Sequence, residues 1–286
     1  MEPAISALQE PGVRIVEVLA AVVLRPPFGA DEISHPARDN APLIDLIPAK
    51  CEQAKRNRGE DLYNTNTRFL KRGNRGLHEV CLTFDDGPHP GSCEAILDAL
   101  TAHKAQATFF LVGRRIKERP DLVHKILDGG FEVGNHTQDH YRLDTLNDKQ
   151  VRAELENCDT NYFRVSGKHM TLFRPPGMRI NDSIQKTVDE LGYTTIGWDI
   201  GAKDFVGGPV KSSAALPKDE IAKRVIKQLT DGAIILLHDN PDTAASMPYL
   251  LDYLDAHGYK VVNASQMLAH LPHPVLLASS TGDRRM

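Results

Sequence analysis

The sequence has few cysteines and no excess of charge of one sign. Its four cysteines form no C-x-x-C pair, which argues against a thiolate zinc site. They permit one or two disulfides without requiring any, and they are Cys51, Cys81, Cys93 and Cys158. The net charge of −4 gives no electrostatic reason to expect a nucleic-acid partner.

Long hydrophobic runs are also absent. An apolar stretch at residues 15–24 contains Glu17 and is far too short to span a bilayer. No basic run precedes it, so it is a poor secretion signal. We expect an amphipathic helix or a buried strand there, and no transmembrane segment.

Composition divides the chain into three parts. Residues 1–76 are rich in proline, asparagine and charge and have weak periodicity, so we interpret them as an N-terminal extension that packs against the main domain. Residues 77–275 form the predicted main domain, and residues 276–286 form a C-terminal tail.

Short β-branched or aromatic runs alternate with helical segments throughout the main domain. The predicted strands are 79–84, 107–112, 131–135, 170–173, 193–198, 233–237 and 259–263. The predicted helices are 92–103, 119–130, 148–164, 183–192, 217–229 and 245–258, with a short one after the last strand. This order is typical of a parallel sheet in an α/β fold. It favours an incomplete β/α barrel over an open doubly wound sheet without excluding the latter.

The segment "CLTFDDGPHP" at 81–90 carries two adjacent carboxylates, Asp85 and Asp86, directly after an apolar strand. Asp, Gly and Pro together are common in surface turns. The alternative is a site in which a cation binds one carboxylate while the other does chemistry, since neighbouring anions otherwise repel each other.

Polar side chains follow other predicted strands as well. In β/α barrels the active site is built where the strands end at their carboxyl edge. The residues found there, in chain order, are His136, His140, Arg174, Asp199, Asp204, His238 and Asp239. This collection is hard to explain by turn chemistry alone, so the sequence predicts a site at this edge.

A metal centre accounts for part of the set. His136 and His140 are four residues apart and can bind one ion, with Asp86 as a third ligand that leaves positions open for water and substrate. Residue 137 is Thr rather than the Glu of a zinc-protease helix, so the base must come from elsewhere. Asp86 as ligand would free Asp85 to take a proton.

The remaining polar residues have more than one interpretation. His238 ends an aliphatic run, where a structural histidine is about as common as a catalytic one. Arg174 cannot itself transfer protons; it can hold Asp85 in position or bind an anion. Either Asp204 or Asp199 would suit Arg174 as a partner, and spacing does not choose between them.

Five motifs resemble those of the polysaccharide deacetylases of the NodB-homology type, carbohydrate esterase family 4. They are "TFDDGP", "HTQDH", "RPPG", "DF" at 204–205 and "LLHD", in the family's order. The resemblance covers about 79–270, and the first two motifs together are the specific ones.

The resemblance implies a distorted (β/α)7 barrel that binds one divalent metal ion. Zinc is the expected ion, with cobalt, nickel or manganese as alternatives. Asp86, His136 and His140 match the family's metal ligands.

The resemblance also implies a role for the other motif residues. Asp85 matches the base that activates water, and His238 matches the acid that protonates the departing amine. Arg174 matches the arginine that orients the catalytic carboxylate, and Asp204 matches the acid that supports this arginine. Leu236 would line the pocket for the acetyl methyl group.

Three positions depart from the family's pattern. Gly177 stands where many members have an aromatic residue, although its backbone N–H would still serve an oxyanion. Gly201 replaces an acid, which thins the expected network around Arg174. Phe205 replaces the usual Trp and keeps an apolar platform without the indole donor. These changes bear on substrate preference more than on activity.

The resemblance therefore implies a metal-dependent enzyme that removes N-acetyl groups from polysaccharide containing N-acetylglucosamine, such as peptidoglycan or chitin. Alternatives are an O-acetyl esterase acting on acetylated xylan, a catalytically inactive carbohydrate-binding relative, and an amide hydrolase for small molecules. Such a substrate suggests a secreted or cell-envelope location, although no convincing signal peptide is present.

Overall fold

The computed structural model describes residues 63–64, 68–205 and 217–272. The predictions for the apolar stretch at 15–24, for most of the N-terminal extension and for the tail lie outside these residues, as does Cys51. Cys81, Cys93 and Cys158 are buried free thiols. No helix within the described residues has both the length and the apolar character needed to cross a bilayer.

The described residues contain ten strands in one sheet. They are β1 (Tyr63–Asn64), β2 (Phe69–Leu70), β3 (Glu79–Asp85), β4 (Thr108–Leu111), β5 (Glu132–Asn135), β6 (Leu172–Phe173), β7 (Thr194–Ile196), β8 (Ile200–Gly201), β9 (Ala233–His238) and β10 (Lys260–Val262). All seven predicted strands are present, and β1, β2 and β8 are additions that the sequence pattern did not predict.

The strand order is β1-β2-β7-β6-β5-β4-β3-β9-β8, with every pair parallel except β1–β2. β10 pairs with the first half of β3, while β4 pairs with the second half.

The strands β7 and β8 are six places apart in this order, which is about 29 Å across a flat sheet. Only residues 197–199 join them, and such a link spans at most about 14 Å. The sheet must therefore curl, so the fold is a distorted barrel rather than an open sheet.

Alternate residues of β3 face opposite sides of the curled sheet, as in any strand. Val80, Leu82 and Phe84 belong to the large core between the sheet and the helices. Cys81 belongs to a smaller apolar cluster with Phe110 and residues of the other strands. All seven residues of β3 are buried, as expected for a central parallel strand.

The helices connect the strands largely as predicted. Their bounds are Ser92–Ala102, Gly113–Glu118, Pro120–Asp128, Asp148–Ser166, Asp182–Glu190, Glu220–Ile226, Pro241–Ala256 and Ala264–Ala269, with 3-10 turns at Leu143–Thr145 and Pro176–Met178. The helix Gly113–Glu118 was not predicted, and two predicted helices differ by more than two residues at an end: the helix at 220–226 is three residues shorter at each end, and the helix at 241–256 starts four residues earlier. Asn240 caps the latter by accepting from the Thr243 N–H, and Pro241 occupies the first turn.

The strand β2 lies within the range predicted as an N-terminal extension. Phe69 and Leu70 pair with Thr195 and Ile196 of β7, so the sheet begins within the range 1–76. The three-part division of the chain stays a prediction.

Candidate active site

Parallel pairing places the carboxyl ends of the central strands side by side at one edge of the sheet. Asp85 of β3 is the register partner of His238 on β9, and Asn135 of β5 is the partner of Phe173 on β6. His136 and Arg174 follow these last two residues directly. The predicted convergence of side chains at this edge is therefore present.

Arg174 binds Asp85 and fixes its orientation. Its side chain is fully buried, and its Nη1 donates to Asp85 Oδ1 over 2.8 Å and to Thr83 Oγ1 over 2.7 Å. Nε and Nη2 each donate over 2.9 Å to the backbone oxygens of Ile196 and Gly197. The guanidinium also lies 4.3 Å from the centre of the Phe110 ring. A buried arginine requires such complete pairing, and the result fixes the orientation of Asp85.

The prediction that Asp204 or Asp199 pairs with Arg174 is wrong. Arg174 donates instead to the side chains of Asp85 and Thr83 and to two backbone carbonyl groups. Asp199 lies level with Ile234, near the opposite end of β9 from His238. It accepts from the Ile234 N–H over 2.8 Å and from Arg75 Nη2 over 2.6 Å. Asp199 is therefore not part of the site.

Asp204 pairs with His238 instead. Asp204 Oδ1 lies 2.9 Å from His238 Nδ1, and Oδ2 accepts from the His238 backbone N–H over 2.7 Å. The Thr243 hydroxyl donates to Oδ2 over 2.6 Å, and Asn240 Nδ2 donates to the Asp204 carbonyl over 3.0 Å. Burial lowers the pKa of His238, but the hydrogen bond and the charge of Asp204 outweigh it, so that this pKa lies above its ordinary value.

Asp86 faces the two histidines. Its Oδ1 lies 3.0 Å from His140 Nε2 and 3.4 Å from His136 Nε2. His136 Nδ1 lies 2.7 Å from the Arg174 carbonyl oxygen, so Nδ1 carries the proton and leaves the Nε2 lone pair free. Burial raises the pKa of Asp86, but the closeness of the His136 and His140 rings outweighs burial and holds this pKa well below its ordinary value.

These three residues fit a divalent cation. One ligand atom from each lies within 4.8 Å of the others. Asp86 Oδ1 is buried and has no hydrogen-bond donor among the described residues, which is the state of an oxygen that a cation would satisfy. One carboxylate and two imidazoles are a normal ligand set for zinc and its neighbours.

The loop with the histidines is held by contacts that the sequence did not predict. Asn135 Oδ1 accepts from the Thr137 N–H over 2.8 Å, and Thr137 Oγ1 accepts from the His140 N–H over 3.1 Å. Thr137 and His140 both have positive φ, at 67° and 61°, a conformation that needs such support. The only indication of these contacts in the sequence is that polar residues, Asn135 and Thr137, lie at the end of an apolar strand.

Asp239 is a second residue to which sequence reasoning gave no role. Its N–H donates to the Asp85 carbonyl over 2.9 Å, while its carboxylate accepts from His89 N over 2.8 Å and from Ser92 Oγ over 2.5 Å. A Cβ at Gly87 would lie 2.8 Å from Asp239 Oδ2, so glycine is required there. Asp239 thus fixes the turn that carries Asp86.

The three predicted substrate residues lie around this edge. Phe205 is 54 % exposed, and its ring centre is 6.1 Å from that of His238. Leu236 is half-buried on β9, opposite Thr83 of β3. Gly177 has φ 59°, and a Cβ there would meet only Arg179 Cγ, at 3.9 Å, so close packing does not demand glycine at this position.

Comparison with known proteins agrees with this architecture. The family model described as polysaccharide deacetylase matches residues 72–196. A peptidoglycan-N-acetylglucosamine deacetylase of Bacillus cereus is 35% identical over 197 residues, which cover 67% of this chain and 88% of the relative. The chain belongs to the polysaccharide deacetylase family, carbohydrate esterase family 4 of the NodB type.

Two further relatives show the range of the family. The peptidoglycan-N-acetylmuramic acid deacetylase PdaC of Bacillus subtilis is 33% identical over 189 residues, and the match covers 66% of this chain but only 38% of the relative. A CE4 family pseudoenzyme of Bacillus anthracis has a similar solved structure, with a TM-score of 0.65 and 28% identity. That similarity covers 71% of this chain and 69% of the pseudoenzyme.

Proposed function

We propose that this protein is a divalent-metal-dependent deacetylase that hydrolyses N-acetyl groups of cell-wall polysaccharide containing N-acetylglucosamine. The observation that carries the proposal is that Asp85 and Asp86, although adjacent, have separate partners. Asp85 is bound to Arg174, whereas Asp86 faces His136 and His140. Two carboxylates with such different surroundings are suited to different tasks.

Asp86, His136 and His140 would hold the metal ion. When bound there, a divalent cation polarises a carbonyl group and lowers the pKa of water, which is the chemistry that amide hydrolysis needs. Zinc fits the ligand types, and cobalt, nickel and manganese are alternatives.

Asp85 is the proposed base. Oδ1 is occupied by Arg174, and the other oxygen, Oδ2, lies 3.7 Å from His136 Nε2 on the side of the metal ligands. Oδ2 is therefore the atom that takes the proton from the attacking water. The water oxygen bonds to the acetyl carbon, and the Gly177 N–H stabilises the charge that develops on the carbonyl oxygen.

His238 is the proposed acid. An amine leaves readily only after protonation, and the pKa of His238 lies above its ordinary value because Asp204 outweighs burial. Its protonated ring gives the proton to the sugar nitrogen as the carbon–nitrogen bond breaks. The products are acetate and the free amine. Leu236 and Phe205 supply the apolar surface for the acetyl group and the sugar.

The relatives support the substrate class. The B. cereus relative carries the name of an N-acetylglucosamine deacetylase of peptidoglycan. A substrate of this kind lies outside the cytoplasmic membrane, so we propose a secreted or cell-envelope location. The pseudoenzyme relative makes an inactive carbohydrate-binding protein the second candidate, against which the complete set of five acid, base and ligand side chains argues.

The test is acetate release from peptidoglycan, chitin oligomers and acetylated xylan, with and without a chelator. We expect release from the N-acetylated substrates, loss with chelator and recovery on adding zinc. Asp85→Asn should lower kcat by a factor of about 100 or more while the zinc content stays unchanged. The exposed Asp128→Asn provides the matched control.

Release from acetylated xylan alone would identify an O-acetyl esterase. No release from any substrate would favour the inactive relative. Activity of Asp85→Asn within a few-fold of wild type would refute the proposed base.

A further inference from the structure

Glu154 is a buried carboxylate that the proposed catalysis does not use. It lies in the helix Asp148–Ser166 and is 8 % exposed. Among the residues that the structure describes, no lysine, arginine or histidine side chain forms an ion pair with it. Buried carboxylates are rare unless they are paired, so this one calls for an explanation.

The carboxylate of Glu154 faces the loop that carries the two histidine ligands. Its Oε2 accepts from the Asp139 backbone N–H over 2.9 Å. Burial and the charge of Asp139 raise the pKa of Glu154, and they outweigh the hydrogen bonding of the Asp139 N–H, the Thr137 hydroxyl and the Gln138 N–H, which lowers it. All the groups that favour the charged form of Glu154 therefore belong to this loop.

The peptide unit between Gln138 and Asp139 is held at both of its polar groups. The Arg114 N–H donates to the Gln138 carbonyl over 3.0 Å, and Glu154 accepts from the Asp139 N–H of the same unit. The two partners lie in different helices. Because a peptide unit is planar, one hydrogen bond to its oxygen and one to its nitrogen fix the orientation of the whole unit. This unit lies between the two histidine ligands in the chain.

His140 is the ligand that depends on this support. The His136 ring is oriented separately, because its Nδ1 lies 2.7 Å from the Arg174 carbonyl oxygen. The side chain of His140 is 38 % exposed, and its Nδ1 has no hydrogen bond to any described residue. The His140 N–H donates to Thr137 Oγ1 over 3.1 Å. The position of the His140 ring is therefore set by the backbone of the loop.

We propose that Glu154 is a positioning residue that raises the affinity of the site for zinc, because it holds the loop in the shape that presents His140. This inference rests on the proposed metal centre. Glu154 acts through the backbone and is neither a ligand nor a catalytic group, since its carboxylate binds the loop. Residues that orient metal ligands typically contribute a factor of about 10–100 to metal affinity.

The experiment measures the Kd of zinc by competition with a chromophoric chelator, on protein freed of metal beforehand. Glu154→Leu leaves the Asp139 N–H without an acceptor and should raise this Kd about tenfold or more. Glu154→Gln keeps one acceptor oxygen, so its Kd should lie between that of Glu154→Leu and that of the wild type. The matched control is Glu156→Gln, an exposed position on the same helix, which should keep the wild-type Kd.

Acetate release should follow the same order at limiting zinc, and excess zinc should restore most of the activity of both Glu154 variants. Far-UV circular dichroism and thermal unfolding of the zinc-free proteins verify that the variants are folded at the temperature of the titration. If Glu154→Leu does not fold, Glu154→Gln alone tests the proposal. A variant that is less stable but keeps the wild-type Kd for zinc would assign Glu154 a structural role only and overturn the inference.

The zinc titration also separates this inference from the proposed catalysis. If the wild type releases no acetate but its Kd for zinc depends on Glu154, the catalysis fails and the positioning role stands. If the wild type releases acetate and both Glu154 variants keep its Kd, the positioning role fails and the catalysis stands. A wild type that binds no zinc would overturn both.

Discussion

Asp85 and Asp86 are neighbours in the chain but point to different partners, because successive residues at a strand end face different directions. Asp85 is 3 % exposed and bound to Arg174, whereas Asp86 has φ 71° and reaches the two histidines. This separation explains how two carboxylates can be adjacent at a buried strand end. The sequence offered these partners as interpretations, Arg174 for Asp85 and the two histidines for Asp86, and the tertiary structure shows the contacts themselves.

The pairing of Asp204 with His238 leads to a prediction about pH. Protonated His238 is the proposed acid, so kcat falls as the pH rises through its pKa. Asp204→Asn removes the charge that raises this pKa, so the alkaline limb of the kcat–pH profile should move to lower pH. At pH 7, kcat should fall about tenfold or more.

The measurement is a profile of kcat against pH for wild type, Asp204→Asn and the exposed control Asp98→Asn. The control should overlay the wild type. A uniform decrease of Asp204→Asn at all pH values, with no displacement of the limb, would contradict the role of Asp204.

Among the elements, β5 shows how tightly the site is built. A Cβ at Gly134 would lie 2.5 Å from Cε1 of Phe110, the ring over which the Arg174 guanidinium lies. The backbone oxygen of Leu172 is 3.3 Å from the same point, so the strand cannot move away freely. Glycine is therefore needed here for close packing inside the barrel.

We expect Gly134→Ala to lower the free energy of unfolding by about 1–3 kcal/mol through overpacking. Its kcat should also fall, since displacement of Phe110 disturbs Arg174. Gly201→Ala is the matched control on β8, where the nearest atom to a new Cβ is Trp198 Nε1 at 3.7 Å. Chemical denaturation of both variants measures the difference, and equal stability of the two would argue against the packing explanation.

The sequence predicted long elements better than short ones. The strand β3 has seven consecutive buried residues, which makes it recognisable by composition. The strands β2 and β8 have only two residues each, so no periodicity can reveal them, and only their pairing with β7 and β9 defines them. The helix Gly113–Glu118 was missed for a similar reason: it has six residues and only two buried positions.

At the scale of the whole molecule, the proposed metal joins separate parts of the barrel. Asp86 follows β3, while His136 and His140 follow β5, with β4 between the two strands. Metal bound only by the folded protein stabilises it, by about 2.7 kcal/mol at a free concentration one hundred times Kd. For a domain of this size this corresponds to a rise in Tm of roughly 5–10 °C.

We expect zinc to raise the Tm of the wild type in this way and chelator to lower it. His140→Ala should abolish the zinc-dependent rise, whereas His124→Ala, an exposed histidine on the helix Pro120–Asp128, should retain it. Thermal unfolding with and without zinc measures this. A full zinc-dependent rise in His140→Ala would show that the ion binds elsewhere.

The sequence by itself determined the α/β class, the seven main strands and the motif residues, because hydrophobic runs and short motifs are local properties of the chain. Tertiary structure decided the rest. The link of three residues between β7 and β8 requires the sheet to curl, and parallel register brings Asp85 beside His238. It also decided that Asp204 supports His238 and that Asp199 lies away from the site. Such pairings depend on distances between segments far apart in the chain, which spacing along the sequence does not encode.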